Sequence, residues 1–177
     1  MMTLIVVTGG VRSGKSRWAQ DEALAHGGEE VTVIATAEAV DDEMRDRIEA
    51  HRRSRPAGWR TIEAPERAGE AILAARTDTV VLDCVTVLTG MAIGRSGAQS
   101  EALALEAMAA EIDGILEASE VRAGVLIVVT NEVGWSVHPP TALGRWYQDG
   151  LGIANQRLAA AADQVVLMVS GLETRLK

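Results

Sequence analysis

A single α/β domain, with a mostly parallel sheet and helices on both faces, is the fold that this 177-residue sequence predicts. Three observations predict it. Short continuous runs of Val, Ile and Leu alternate with longer stretches of helical spacing, the pattern of strands buried on both faces. A glycine-rich stretch ending in Lys15-Ser16 lies between the first such run and the first helix, the setting of a P-loop. The length suits one domain with a sizeable core, and no internal repeat or low-complexity linker divides residues 1–177.

Along the chain, Thr3–Thr8 reads as a short apolar strand and Lys15–His26 as a helix closed by Gly27 and Gly28. Val31–Thr36 is a second strand. Asp41 to about Arg53 is a helix whose Asp41, Asp42 and Glu43 suit the positive end of its dipole. Trp59–Glu63 reads as a short strand, and Pro65–Ala75 as a helix that starts with proline. Val80–Asp83 is a buried strand. Across Glu101–Ala118, residues Leu105, Met108, Ile112, Ile115 and Leu116 recur at helical spacing. Val125–Thr130 is another buried strand. A helix from about Thr141 to Ala162 carries Leu143, Tyr147, Leu151, Ala154 and Leu158 on one stripe. Val165–Val169 ends the sheet, and the tail is a candidate edge strand.

Composition narrows the function classes. Hydrophobic residues make up 47% of the chain but aromatics only 3%, with no Phe, so the core must be aliphatic. No apolar run approaches the ~18 residues of a membrane span. Met1–Thr8 is too short for a signal peptide and leads straight into the motif. The single cysteine, Cys84, cannot form an internal disulfide, so a cytoplasmic location is expected. A net charge of −8 argues against general nucleic-acid binding. Yet six arginines fall between Arg45 and Arg60 against two acids, Asp46 and Glu49. That island is either a solvated helix face or an anion site.

Gly9, Gly10, Val11, Arg12, Ser13, Gly14, Lys15 and Ser16 spell G-x-x-x-x-G-K-S. Glycines let backbone N–H groups turn inward around phosphate oxygens, where a side chain would collide. Lys15 reaches the β and γ oxygens, Ser16 offers a hydroxyl to Mg²⁺, and the helix that follows points its positive end at the anion. The acid such a site needs, usually at the end of a hydrophobic strand, is supplied by Asp83. Ligands bind beyond the carboxyl ends of the strands, where Thr8, Thr36, Asp83, Asn131 and Glu132 fall by counting and are expected to line one cleft. Switch GTPases read guanine through Asn-Lys-x-Asp; lysine occurs only at Lys15 and Lys177, so that class is excluded.

Of three histidines, His26 ends a helix and His138 precedes Pro139 and Pro140. His51 differs, because Met44, Ile48 and His51 share a helix face, and the histidine lies where this expected buried stripe meets Arg52, Arg53 and Arg55. Two readings are open: a core-edge histidine beside a basic turn, or a nucleophile. A free ring nitrogen can attack an α-phosphorus while arginines hold the negative oxygens and the leaving pyrophosphate.

Several stretches together resemble the bifunctional adenosylcobinamide kinase / adenosylcobinamide-phosphate guanylyltransferase family. They are Thr8-Gly-Gly-Val-Arg-Ser-Gly-Lys-Ser16, Ile34-Ala-Thr-Ala37, Asp41-Asp-Glu-Met44 through Arg47-Ile48 to His51, and Arg55-Pro56 followed by Trp59-Arg60-Thr61. Thr130-Asn-Glu-Val-Gly134, Asn155 to Asp163 and Val169-Ser-Gly171 complete the set, so the resemblance runs over essentially the whole chain. It implies a RecA-like P-loop fold and a homotrimer. It implies phosphorylation of the aminopropanol hydroxyl of adenosylcobinamide by ATP or GTP, then transfer of GMP from GTP through a guanylyl-histidine to give adenosyl-GDP-cobinamide. The guanylylated histidine maps to His51; Ala50 stands where some relatives carry an adjacent histidine. Nucleotide contacts map to Gly9 through Ser16, to Ala35, Thr36 and Ala37, to Arg52, Arg53, Ser54 and Arg55, and to Glu63 and Asp83, with Ser16 and Asp83 toward Mg²⁺. Asp83 stands where some relatives have Glu. Asn131, Glu132, Asn155 and Arg157 are candidates to bind corrinoid, support the cleft or hold subunits. Trp135, Trp146 and Tyr147 are candidates to meet the corrin ring, with core or interface as the alternative for Trp146 and Tyr147 at helical spacing. A plain P-loop kinase with a structural His51, and a nucleotide-driven assembly protein, are the competing readings.

Overall fold

The computed structural model describes residues 1–177 except Val40 and Ala98, and except the side chain of Arg47. One of the residues behind the family resemblance, Arg47, thus has its side chain outside the described set. Among the described residues the chain alternates β1 (Met2–Gly9), α1 (Lys15–Gly27), β2 (Val31–Ala35), α2 (Asp42–Arg53), β3 (Arg60–Glu63), α3 (Ala68–Ala74), β4 (Thr79–Asp83), α4 (Val85–Arg95), α5 (Glu101–Val121), β5 (Gly124–Val129), α6 (Ala142–Ala161), β6 (Gln164–Val169) and β7 (Leu172–Arg175). The strands form one sheet in the order β3-β2-β4-β5-β1-β6-β7. All neighbours are parallel except the antiparallel β6–β7 hairpin at the edge.

Period-2 alternation divides the aliphatic residues between two cores. Leu4, Val6, Val80, Leu82, Leu126 and Val128 face a large core shared with α3, α4, α5 and α6. Their neighbours Ile5, Val7, Val81, Ile127 and Val129 face a smaller one beneath α1. Every central strand is therefore covered on both sides, which is why its sequence reads as a continuous apolar run. Because β5 lies between β4 and β1, the carboxyl ends of these three strands sit side by side.

Three expectations need correction. The helix α4 is absent from the sequence reading; it buries Val85, Leu88, Thr89 and Ile93 against the larger core. Helix α3 starts at Ala68, three residues after Pro65, because the Glu111 carboxylate on α5 accepts from the Arg67 and Ala68 N–H groups at 2.8 and 3.1 Å and sets its first turn. The apolar stripe of α2 is not a buried one, since Met44 and Ile48 are half-buried and His51 is exposed. That helix is held instead by polar contacts, beginning with the Asp41 cap on Met44 N at 2.7 Å.

Candidate functional site

The phosphate cradle forms where β1 runs out. A side chain at Gly9 (φ +149°) would place its Cβ 2.4 Å from the Met168 carbonyl oxygen, so the strand can lie this close to β6 only with glycine there. Gly14 caps α1 in the left-handed region and supplies no side-chain hydrogen bond. With no acid in the first turn of α1 either, the positive end of this helix is suited to an anion. The β6–β7 turn, with Ser170 and Gly171 both at positive φ, braces the outside of the loop: Gly171 N donates to Ser13 O at 2.9 Å. Ser13 Oγ is buried without a partner among the described residues. Lys15 is itself buried, and its ammonium donates to Gly10 O at 2.7 Å. Burial lowers its pKa, with nearby Cys84 and Asp83 opposing the shift.

Asp83 ends β4 in register with Ala35 of β2 and Val129 of β5. The backbone just past it is pinned by Thr36, whose hydroxyl donates to Cys84 O at 2.8 Å and accepts from Cys84 N at 2.9 Å. Arg55, its side chain buried, donates from Nη2 to Asp83 Oδ2 at 3.2 Å and from Nη1 to Thr61 at 3.5 Å. Burial lowers the Arg55 pKa, opposed by the charge of Asp83 and the bond to it. The same Asp83 oxygen lies 3.8 Å from His51 Nδ1. His51 faces a cleft of about 510 Å³ lined by Ser16, Gln20 and Asp21 of α1 and by Ala50, His51 and Ser54 at the end of α2. Gln20 Nε2 spans the cleft to Ser54 Oγ at 3.2 Å. Burial, and then Asp83, push the Cys84 thiol pKa up, so this cysteine stays a neutral thiol and is no rival nucleophile.

The residues singled out in the sequence gather unevenly. Gly9 through Ser16, Asp83, Arg55, Ser54 and His51 surround one region. Arg52 and Arg53 are exposed beside it. Ala35 and Ala37 are half-buried, while Thr36 is fully buried with its hydroxyl spent on Cys84. Glu63 ends the edge strand β3, two strands from Asp83. Thr8 and Glu132 do meet at the carboxyl ends of the central strands, with Thr8 Oγ1 donating to Glu132 at 2.8 Å. Tyr147 packs against the larger core, donates to Thr86 O at 3.3 Å and has its phenol pKa pushed up to about 12, chiefly by burial. Trp146 is half-buried and Trp135 is exposed. Arg157 pairs with Asp113 of α5, which gives it a bracing role. The sequence reading missed Gln20 and Asp21 as cleft residues; Gln20 follows Ser16 by one turn on the same helix face, a signal that was present.

A parallel sheet with a P-loop on its first strand and an acid at the end of the strand next but one defines a P-loop nucleotide-binding phosphotransferase. Against solved structures, the chain resembles a prototypical ATPase from the type III secretion system of pathogenic bacteria, with a TM-score of 0.55 at 9% identity. The match covers 98% of this chain and 56% of that one, and it speaks for the fold alone. Residues 5–176 match the cobinamide kinase / cobinamide phosphate guanyltransferase family, and the chain belongs to that family. It is 41% identical to the bifunctional adenosylcobalamin biosynthesis protein CobU of Escherichia coli K12, over 98% of this chain and 99% of that protein. Identity is 40% to CobU of Salmonella typhimurium LT2, with the same coverage. It is 37% to the bifunctional adenosylcobalamin biosynthesis protein CobP of Pseudomonas aeruginosa PAO1, over 97% and 96% of the two chains. The chain is thus a cobalamin-biosynthesis enzyme with kinase and nucleotidyltransferase activities.

Proposed function

We propose that this chain phosphorylates the aminopropanol hydroxyl of adenosylcobinamide with ATP or GTP, then guanylylates His51 with GTP and passes GMP to adenosylcobinamide phosphate, giving adenosyl-GDP-cobinamide. One observation carries the second half: His51 and the P-loop residue Ser16 line the same cleft, and Asp83 Oδ2 stands 3.8 Å from His51 Nδ1. With Nδ1 on the side of that carboxylate, Nε2 is the ring nitrogen that would attack. Its attack forms the N–P bond at the α-phosphorus as the bond to the β-phosphate oxygen breaks and pyrophosphate leaves. A phosphate oxygen of the second substrate then displaces the imidazole, and GMP moves on.

The loop N–H groups and Lys15 hold the triphosphate, Arg55 and Asp83 hold the imidazole's side of the cleft, and Arg52 and Arg53 add positive charge at its rim. The donor set suits Mg²⁺, since Ser16 and Asp83 present hard oxygens. No cluster of three or more His, Cys, Asp or Glu occurs among the described residues, so such an ion would complete its shell with phosphate oxygens. Bound there, Mg²⁺ would neutralise phosphate charge. A cytoplasmic homotrimer belongs to the same reading; among the described residues, no helix is long and apolar enough to cross a membrane.

The decisive experiment is charging with α-labelled GTP and Mg²⁺. Acid-labile, alkali-stable label should remain on the wild-type protein and be absent from His51→Ala. Label persisting on that variant places the nucleophile elsewhere.

A further inference from the structure

The kinase half needs a group to take the proton of the acceptor hydroxyl, and His51 is occupied with the other reaction. Three carboxylates stand at the strand ends of the sheet. Glu63 ends the far edge strand, and Asp83 is committed to Arg55. Glu132 remains. It follows β5, the strand between β4 and β1, and its N–H donates to Gly9 O at 3.2 Å, at the very start of the P-loop. We propose that Glu132 is the catalytic base of phosphoryl transfer, an inference that rests on the kinase activity proposed above.

The way this side chain is held supports the role. Its Oε1 accepts from Thr8 Oγ1 at 2.8 Å and from Asn155 Nδ2 at 3.5 Å. Asn155 is aimed in turn by Thr130, whose hydroxyl donates to Asn155 Oδ1 at 2.7 Å, and by its own bond to Asn131 O at 2.9 Å. Thr8 and Thr130 are buried. Three elements (β1, the segment after β5, and α6) thus fix one oxygen of a half-buried carboxylate. Its other oxygen, Oε2, has no protein partner among the described residues, and no cation pairs with the group there. A solvated surface acid needs no such frame, whereas a base must be held in place with one lone pair free.

The step balances as follows. The acceptor O–H proton passes to Glu132 Oε2 as the oxygen bonds to the γ-phosphorus. The bond from that phosphorus to the β,γ-bridging oxygen breaks, the nucleoside diphosphate leaves, and Glu132 returns the proton to water. Acid-base work for the kinase step thereby sits at β5, apart from the nucleophile of the guanylyl step on α2.

The test uses the full chain and two labels in the same preparation. γ-Labelled ATP or GTP reports phosphorylation of adenosylcobinamide, and α-labelled GTP reports charging of His51. For Glu132→Gln, kcat of phosphorylation should fall by about 10²–10⁴, the usual range for a general base. KM for adenosylcobinamide should stay within about threefold and charging should stay near the wild-type rate. Glu132→Asp, which keeps the base but draws it back, should recover part of kcat. Phosphorylation by Glu132→Gln at the wild-type rate overturns the assignment. Equal loss of phosphorylation and charging overturns it too, since that marks a structural prop of the P-loop. Failure of the wild-type protein to phosphorylate adenosylcobinamide would instead sink the kinase reading beneath it.

Discussion

Replacing Thr36 with Val tests whether the backbone after Asp83 is held by hydrogen bonds or by packing. Thr36 is fully buried, and its hydroxyl closes two bonds with the Cys84 backbone, at 2.8 and 2.9 Å. Val keeps the shape and opens no cavity, so the change isolates those bonds. Each contributes about 1 kcal/mol net, and the Cys84 groups left unpaired add a desolvation cost of similar size, giving a loss of about 2–4 kcal/mol. For 177 residues the unfolding entropy at the midpoint is about 0.37 kcal/mol/K, so the melting temperature should fall by about 5–11 °C. Thr36→Ser is the control: it keeps the hydroxyl, loses one methyl, and should cost about 1 kcal/mol, or about 3 °C. Thermal melts of the three proteins decide the matter. A Val variant melting within about 2 °C of wild type, or a Ser variant melting below the Val variant, would refute the hydrogen-bond argument and leave methyl packing as the cause.

Two further outcomes follow from the cradle. Gly9→Ala would drive a Cβ to 2.4 Å from Met168 O and 2.8 Å from Ser13 Oγ, so the loop must shift. GTP affinity by titration calorimetry should drop at least about tenfold, a loss of about 1.4 kcal/mol, and an unchanged Kd would mean that the loop is not the nucleotide seat. Lys15→Met removes a buried cation whose pKa lies below the usual 10.5 because of burial. With the folded value depressed for a cation, the stability cost is complete below that value and vanishes above 10.5, where both states are neutral. The nucleotide-free variant should therefore melt above wild type at pH 7, with the gap closing as pH rises toward 10.5, while γ-phosphoryl transfer falls by about 10²–10³.

The P-loop was legible because phosphate binding demands particular residue types at fixed spacing, and the central strands because burial on both faces leaves unbroken aliphatic runs. Helix α4 was hidden although its pattern was present. Val85, Leu88, Thr89 and Ile93 fall at i, i+3, i+4 and i+8, but β-branched residues and Gly90 and Gly94 mask a helix that burial of this face stabilises. The start of α3 was not legible, for it depends on Glu111, more than forty residues away. Within the site, the arginine neighbours left His51 open between a core-edge residue and a nucleophile, and its approach to Asp83 is a tertiary fact. The same holds for Glu132: its bond to Thr8 joins positions 124 residues apart, and local pattern carries no trace of it.

The placement of the proposed nucleophile on α2 has a physical logic of its own. In the proposed reaction two reagents must reach the same imidazole in turn, a GTP α-phosphorus and then the phosphate of a bulky acceptor. A helix clamped by a buried apolar face would hold the ring in one attitude and screen one side of it. None of the described residues of α2 is fully buried, and His51 keeps half of its side chain exposed. The ties that position its end are polar: Gln20 to Ser54 across the cleft, and Arg55 to Asp83 at the strand end. The first of these, between neutral groups, exchanges with water or phosphate oxygens at a net cost of about 1 kcal/mol, far less than withdrawing a packed leucine. Asp83 is the firm end of this arrangement, because it belongs to a central strand and the backbone after it is pinned by Thr36. The imidazole is thus steered by a rigid sheet while its helix remains accessible to both reagents.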